Sequence, residues 1–201
     1  DVISLAREKG YFKGTDEEFS FADAYAPLNF EAIRFCDARV WSGFLKVADG
    51  MQEYLDYIKG ENNNLRLPLW VKANRKLTVA DMMAMMRDYY QGTELDMTKD
   101  FGAEPYGNIV RWRPLTWEVD GKEYFNERAI STQQTGFSFV AQSRTWLPDP
   151  VGGILWFGVD DTYSTVYTPM YCGITDVPAG FKAGNGAMME FSDNAAFWIF
   201  N

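Results

Sequence analysis

Histidine is absent from this 201-residue chain, and only two cysteines occur, Cys36 and Cys172. Without imidazole, the chain supplies no histidine-containing catalytic triad, no histidine-rich zinc site and no imidazole proton shuttle. Two cysteines are too few for a disulfide scaffold or for an all-cysteine tetrahedral zinc site. Because a thiol nucleophile needs a base or a positive field, Cys172 is not expected to be catalytic within this chain.

Positive charge and long apolar segments are also scarce. The chain has 19 Lys and Arg against 28 Asp and Glu, a net charge of −9, whereas a nucleic-acid-binding surface needs clustered cations. The longest apolar stretches, 151–159 and 195–200, are far shorter than the roughly 20 residues of a membrane span. The phosphate-binding pattern G-x-x-x-x-G-K-[ST] and an EF-hand loop are missing. We therefore expect no nucleic-acid partner, no membrane span, no metal and no cofactor.

The first half of the chain, 1–92, is predicted to be mostly helical. Asn29 is a candidate N-cap for one helix, and its apolar residues recur with a period near 3.6. They predict a buried stripe made of Ile33, Cys36, Val40, Phe44 and Val47. On this pattern, Cys36 is expected in the core. Thr78 followed by Asp81 predicts a further helix that begins with an acidic capping box and ends at Gly92. Its methionines are expected to pack into the core, on a face shared with Tyr90.

The second half is predicted to be β-rich. Residues 93–115 lose periodicity and predict a long loop, whereas 116–178 alternate as strands do. Asp120-Gly121 predicts a two-residue hairpin turn. Three further strands are predicted over 130–142, 154–159 and 165–174. Since the last two are apolar on both faces, we expect a sheet covered on both sides, and helices followed by antiparallel strands predict an α+β fold.

The last residues, 192–201, predict the start of a further helix with Ser192 as its N-cap. A helix of barely two turns is unfavourable to nucleate, so we expect the chain to be an internal piece of a longer protein. The alternative is a docked C-terminal helix.

Residues 126–136 concentrate amide, hydroxyl and guanidinium groups beside a predicted aromatic core. Buried polar groups must be hydrogen-bonded, so this run either ties a loop to the sheet or faces a polar ligand, and the spacing alone does not decide. The pair Asp160-Asp161 is interpreted as a solvated turn rather than a cation site. Several tryptophans are candidates for a sugar-binding platform: Trp70, Trp112, Trp117, Trp146 and Trp156. Burial in a packed core explains them more simply.

Four motifs follow one another in the second half of the chain: RWRPL at 111–115, NER at 126–128, STQQT at 131–135 and WLPDPVGG at 146–153. Together with REKGYF at 7–12, FADAYAP at 21–27 and the predicted strand at 165–174, they resemble the bacterial dipeptidase A family over essentially the whole chain. That family comprises cysteine-type N-terminal-nucleophile (Ntn) hydrolases, which are related to choloylglycine hydrolases and penicillin V acylases.

The resemblance implies an αββα sandwich, in which two sheets stack between helical layers. It also implies a nucleophilic cysteine at the N-terminus of the mature protein, whose own α-amino group serves as the base. The thiolate attacks the peptide carbonyl, and water resolves the thioester. This cysteine has no counterpart here, since residue 1 is Asp and no cysteine precedes Cys36. Residues 1–201 are therefore expected to form a partial Ntn-hydrolase domain that has no catalytic residue of its own and is inactive alone.

For this chain, the resemblance implies part of a substrate pocket. The candidate substrate-binding residues are Asn126, Arg128, Thr132, Gln133 and Gln134. A dipeptidase must bind a free ammonium and a free carboxylate, so Arg128 is the candidate carboxylate ligand, with Arg144 as the second choice. The structural alternative is an ion pair between Arg128 and Glu127 or another carboxylate.

The expected partners are a dipeptide substrate and the remaining N- and C-terminal parts of the same protein. Two other functions stay open at this point. One is an amidase of the choloylglycine or penicillin V acylase type, and the other is a non-catalytic, aromatic-rich sugar-binding module.

Overall fold

The computed structural model describes residues 1–26, 28–110, 116–125 and 128–182. Its α-helices are α1 (Val2–Glu8), α2 (Phe21–Tyr25), α3 (Phe30–Ala32), α4 (Ala38–Leu45), α5 (Leu55–Ile58), α6 (Val79–Met86), α7 (Asp149–Gly152) and α8 (Ala179–Lys182). Its strands are β1 (Thr116–Val119), β2 (Lys122–Phe125), β3 (Phe137–Ser143), β4 (Gly153–Val159) and β5 (Thr168–Tyr171). Among these helices, none is both long and apolar enough to cross a membrane. The further helix predicted at 192–201 lies outside the described residues.

A π-helical turn, Ile33–Asp37, joins α3 to α4. Asn29 caps α3 as predicted, because its Oδ1 accepts a hydrogen bond of 2.7 Å from the Ala32 N–H. The wide turn separates the buried residues Ile33 and Ala38 by five positions, whereas an α-helix separates neighbours on one face by three or four. Cys36 therefore lies on the outer side and is exposed, so its prediction as a core residue is wrong.

The capping box at α6 is present as predicted. Thr78 Oγ1 accepts from the Asp81 N–H at 3.2 Å, and Asp81 Oδ2 accepts from the Thr78 N–H at 2.7 Å. The helix ends at Met86, six residues before Gly92, so its predicted end is wrong. No residue of α6 is fully buried, and Met82 is exposed, so the expectation that its methionines fill the core is only partly met.

Two antiparallel sheets follow the helices, which confirms the α+β class. In the first, β1 pairs with β2 around Asp120 and Gly121, whose φ angles of 51° and 73° form the predicted tight turn. The second has the order β3-β4-β5, with Phe139 opposite Phe157 and Trp156 opposite Pro169. β3 starts at Phe137 rather than near 130, and β5 starts at Thr168 rather than at 165.

The three-stranded sheet is not covered on both sides by the residues that the structure describes. Along β3, Ser138 and Val140 are buried, whereas Phe137 and Phe139 are 59% and 49% exposed. The main core lies instead in the helical half, where Trp41, Tyr57 and Tyr90 are fully buried together. The expectation of a sheet covered on both sides is therefore not met within this part of the chain.

Candidate functional site

The predicted polar segment leads directly into β3. Residues Thr132–Thr135 form a turn, since Thr132 O accepts from the Thr135 N–H at 3.0 Å and from Thr135 Oγ1 at 2.7 Å. Gln133 and Gln134 occupy the two central positions of this turn and are half-buried. The structure thus describes four of the five candidate residues, and Asn126 lies outside the described ranges.

Arg128 is half-buried, and its backbone is fixed. Its carbonyl oxygen accepts a hydrogen bond of 2.8 Å from Tyr90 Oη. Its Nε is buried and donates no hydrogen bond to any described residue, and no carboxylate of these residues forms an ion pair with the guanidinium. A buried N–H without an acceptor is unfavourable, so Arg128 is suited to binding an anionic group. The predicted alternative partner, Glu127, falls outside the described residues.

Ser131 ties the same segment to the loop after α6. The N–H of Ser131 and its Oγ both donate to the carbonyl oxygen of Asp88, at 3.0 Å and 2.8 Å. Ser131 itself is buried. At Ser131 the polar run therefore has a structural role, because this residue bonds its segment to the loop after α6. The sequence left two roles open for the run, and this is the structural one.

The Asp88 side chain is fully buried and connects this loop to α4. Its Oδ2 accepts from Ser42 Oγ at 2.7 Å, and the half-buried Lys46 Nζ lies 2.8 Å from Oδ1. The Lys46 contact is an ion pair whose angle is poor for a hydrogen bond. A buried carboxylate needs such partners, because an unpaired buried charge is strongly destabilising.

Tyr90 has an unusual backbone conformation. Its φ is +63°, in the left-handed region that bulky residues rarely adopt, and its side chain is fully buried. Such a conformation costs on the order of 1–3 kcal/mol and persists where the surroundings fix it. Here the Tyr90 carbonyl oxygen accepts from the Thr93 N–H at 3.1 Å and from Thr93 Oγ1 at 2.7 Å.

The loop between β4 and β5 approaches the same region. Arg87 donates from Nη2 to the Thr165 carbonyl oxygen at 2.7 Å, and its guanidinium carbon lies 5.0 Å from the centre of the Tyr167 ring. The N–H of Asp160 donates to the Gly136 carbonyl oxygen at 3.0 Å. One short stretch, residues 87–90, therefore contacts α4, the Arg128–Thr135 segment and the β4–β5 loop.

The two acidic residues of this loop, Asp160 and Asp161, differ in burial. Asp160 is exposed at φ +67°, as expected for a turn, whereas Asp161 is half-buried. Burial raises the pKa of Asp161, and the neighbouring Asp160 charge adds to this, although the Tyr163 N–H at 3.0 Å opposes the shift. Within the described ranges, no group of three or more Cys, Asp and Glu is arranged to hold a metal ion.

Arg144, the second candidate for the carboxylate, is engaged in packing. Its Nη2 donates to the Val151 carbonyl oxygen, and its guanidinium carbon lies 5.8 Å from the centre of the Tyr171 ring. The nearby Cys172 is exposed, and its N–H donates to the Gly153 carbonyl oxygen at 3.1 Å. The Arg144 Nε is buried without an acceptor, like that of Arg128. Arg128 is the better candidate of the two because the Arg144 guanidinium is already held by Val151 and Tyr171.

Two of the tryptophans proposed for a sugar platform line different pockets. Trp70 lines a pocket with Asp49 and Asn74, whereas Trp156 lines one between β3 and the start of α6. Trp156 also donates from Nε1 to Gln142 Oε1 at 3.2 Å. Trp112 lies outside the described residues. These two rings do not form one shared surface.

Sequence reasoning did not single out Asp88, Ser42, Lys46 or Tyr90 as parts of this region. A usable signal was present at Ser42, a polar residue directly after Trp41 in an apolar helix, because a polar group on a buried face needs a partner. For Tyr90 the signal was missing, since nothing in the local sequence indicates a left-handed backbone at a tyrosine.

Comparison with known proteins places the chain among peptidases. It is 30% identical over 169 residues to a probable dipeptidase of Latilactobacillus sakei, a match covering 84% of this chain and 30% of that protein. Probable dipeptidase B of Lactococcus lactis subsp. lactis is 21% identical over 188 residues, or 94% of this chain and 34% of that protein. A probable dipeptidase of Salmonella dublin is 25% identical over 183 residues, or 91% and 36%.

The chain thus spans about a third of the length of these curated relatives. The sequence profile of peptidase family C69 matches residues 1–201, which is the whole chain. The chain therefore belongs to peptidase family C69.

Proposed function

We propose that this chain is part of a longer dipeptidase and contributes one wall of its substrate pocket. The observation that carries the proposal is the family match over every residue, and the three relatives named as probable dipeptidases agree with it. The chain spans only about a third of those relatives, so a complete catalytic site draws on sequence beyond residues 1–201.

The proposed reaction is hydrolysis of a dipeptide by an N-terminal cysteine outside this chain. The thiol gives its proton to the α-amine, the sulfur attacks the peptide carbonyl, and the leaving amine takes up a proton. Water then cleaves the thioester and regenerates the thiol. This mechanism needs neither histidine nor a cofactor.

The proposed fold of the longer protein is an αββα sandwich in which the sheet β3-β4-β5 packs against a second sheet. The exposed side chains of Phe137 and Phe139 support this arrangement, because they place two large apolar rings on one face of an edge strand. Large apolar groups gain free energy when another layer removes them from water.

Within the pocket, we assign Arg128 to the substrate carboxylate, with Asn126, Thr132, Gln133 and Gln134 as polar neighbours. The support for Arg128 is its place beside the STQQT motif together with its buried Nε without an acceptor. Arg34 and Arg144 also have a buried Nε of this kind, but their guanidinium groups donate to the carbonyl oxygens of Ile58 and Val151. A guanidinium presents parallel N–H groups that match the two oxygens of a carboxylate. Gln133 and Gln134 are half-buried on one tight turn of the same segment, and a side-chain amide has both donor and acceptor groups.

Kinetics of the longer protein test these assignments. The Arg128→Ala variant is expected to raise KM for dipeptides with a free C-terminal carboxylate by about tenfold or more, as loss of a charge-assisted hydrogen bond predicts. Dipeptide amides, which lack that charge, should be affected much less. Arg39→Ala is the control, since Arg39 is also half-buried but donates to the Phe35 carbonyl oxygen within its own helical segment. If Arg128→Ala raised KM equally for dipeptides and for dipeptide amides, Arg128 would not be the ligand of the substrate carboxylate.

Two further measurements test the activity and the nucleophile. The longer protein should hydrolyse dipeptides, whereas the 201-residue chain alone should not. Mass spectrometry of the mature longer protein should identify cysteine as its first residue. Another first residue would refute the proposed mechanism, and hydrolysis by the isolated chain at enzymatic rates would refute the proposed division of the site.

A further inference from the structure

The loop made of residues 88–90 holds the backbone of the Arg128–Ser131 segment at two points. Tyr90 Oη donates to the Arg128 carbonyl oxygen at 2.8 Å. Three residues further along, Ser131 donates twice to the Asp88 carbonyl oxygen, at 3.0 Å and 2.8 Å. All these bonds are shielded from water to a large extent, because Asp88, Tyr90 and Ser131 are buried.

The loop is itself held in one conformation. The Asp88 carboxylate bonds to Ser42 and pairs with Lys46, both on the α4 side, and its Oδ2 lies 3.4 Å from the Tyr90 nitrogen. Tyr90 keeps a φ of +63° that a bulky residue adopts only under constraint. Packing of its ring in the helical core and two bonds from Thr93 provide that constraint. Strained backbone of this kind is concentrated at functional sites, which makes the 88–90 loop a candidate for a functional role.

We propose that the 88–90 loop is the positioning device of Arg128, acting through the Tyr90 hydroxyl and the Asp88 carbonyl oxygen. This inference rests on the proposed function of Arg128 as the carboxylate ligand. The Tyr90 hydroxyl holds the peptide group of Arg128, so it fixes the point and direction from which the Arg128 side chain leaves the backbone. A bidentate pair with a carboxylate requires such a fixed direction.

The test compares two tyrosine variants in the longer protein. Tyr90→Phe removes one buried hydroxyl that bonds to Arg128. Tyr57→Phe, the matched control, removes another buried hydroxyl of the same core, which bonds instead to the Asp37 carboxylate. We expect Tyr90→Phe to raise KM for dipeptides by about tenfold with kcat within about twofold. The reason is that a contact made equally with the substrate and with the transition state affects KM and leaves kcat unchanged. Tyr57→Phe should leave KM unchanged at temperatures where both variants are folded.

A second readout does not depend on activity. In Tyr90→Phe, amide hydrogen exchange over residues 128–135 should become faster, whereas the same peptide in Tyr57→Phe should exchange as in the parent protein. If Tyr90→Phe does not fold, Ser131→Ala serves in its place. It removes one of the two bonds from Ser131 to Asp88, and it should accelerate exchange in the same peptide and raise KM.

The outcomes separate the two proposals. If the parent protein fails to hydrolyse dipeptides while exchange over 128–135 responds as expected, the proposed function is wrong and the anchoring by the 88–90 loop stands. A KM that rises no more in Tyr90→Phe than in Tyr57→Phe would overturn the positioning role. Exchange over 128–135 that is unchanged in both Tyr90→Phe and Ser131→Ala would overturn it as well.

Discussion

At the scale of single residues, Asp96 is a buried carboxylate outside the candidate site that has several hydrogen-bond partners. Its Oδ1 accepts from the N–H and Oγ1 of Thr98, at 3.0 Å and 2.6 Å, and its Oδ2 accepts from the Gly92 N–H at 3.1 Å. Burial by itself raises the pKa of Asp96, but these hydrogen bonds and Lys99 outweigh it and lower the pKa to about 2. The carboxylate is therefore much better stabilised in the folded chain than in the unfolded one.

The pH dependence of stability follows from this shift. Because the folded-state pKa is lowered, Asp96 contributes its full stabilisation above about pH 4 and loses it as the pH falls towards about 2. Asp96→Asn should lower the free energy of unfolding by about 1–2 kcal/mol at pH 6, and the difference from the parent should shrink on acidification. Urea unfolding at several pH values measures this. The exposed Glu118→Gln is the control, and a difference independent of pH would contradict the assignment.

The residues that sequence reasoning missed share one property, which is that their environment is created by distant parts of the chain. Asp88 meets Ser42 across 46 positions, and Tyr90 meets Arg128 across 38. No local pattern reports such partners. Arg128, Thr132, Gln133 and Gln134 were named from a motif, and their binding role is still a prediction. Cys36 was misplaced because a 3.6-residue period was assumed across a π-helical turn.

At the scale of elements, α6 depends on its first turn. Arg75 donates to both oxygens of Asp81 at 2.9 Å, and together with Thr78 it holds the pKa of Asp81 well below its usual range. No residue of the helix is fully buried, so its capping interactions make up a larger share of its stability than in a core helix.

Removal of the N-cap should therefore be measurable. Thr78→Ala is expected to destabilise the protein by about 1 kcal/mol, because the Asp81 N–H loses its acceptor. Thr78→Ser keeps the hydroxyl and should retain most of the stability. Urea denaturation of both variants makes the comparison. Equal effects of Ala and Ser would assign the loss to the Thr78 methyl group and not to the cap.

Elements with local signals were predicted well. The α6 cap, the Asn29 cap and the Asp120-Gly121 hairpin each depend on residues within about four positions, so the sequence contains what determines them. The last residue of α6 and the first residue of β3 were predicted wrongly. After α6 the chain leaves helical geometry, and Tyr90 bonds to the Arg128 carbonyl oxygen. Before β3, Ser131 bonds to the Asp88 carbonyl oxygen.

At the scale of the whole molecule, the α+β class was predictable because it depends on the order of helical and alternating segments. The division into a two-stranded and a three-stranded sheet was not, since strand pairing joins residues that are far apart in sequence. The exposed apolar face of β3 also escaped prediction. Sequence shows that Phe137 and Phe139 share a face of their strand, but not whether this chain provides the layer that covers it.

The proposed sandwich makes a prediction at this scale. In the longer protein, replacing Phe137 and Phe139 together by Thr should lower the thermal midpoint by several degrees, because a covering layer would bury both rings. Leu69→Thr, at a residue that is 95% exposed, is the control and should have little effect. Thermal unfolding of the three proteins gives the answer. No greater shift in the double variant than in Leu69→Thr would mean that this face is open to solvent in the longer protein too.

The wide turn at Ile33–Asp37 has a consequence for how sequences of this family are compared. It holds one residue more than a regular helix would need between Ile33 and Ala38. Deleting the outward-facing Cys36 would leave a spacing of four, so a straight helix could still direct Trp41 to the same neighbours. We therefore expect a relative with one residue fewer at this point to keep the helix with regular winding.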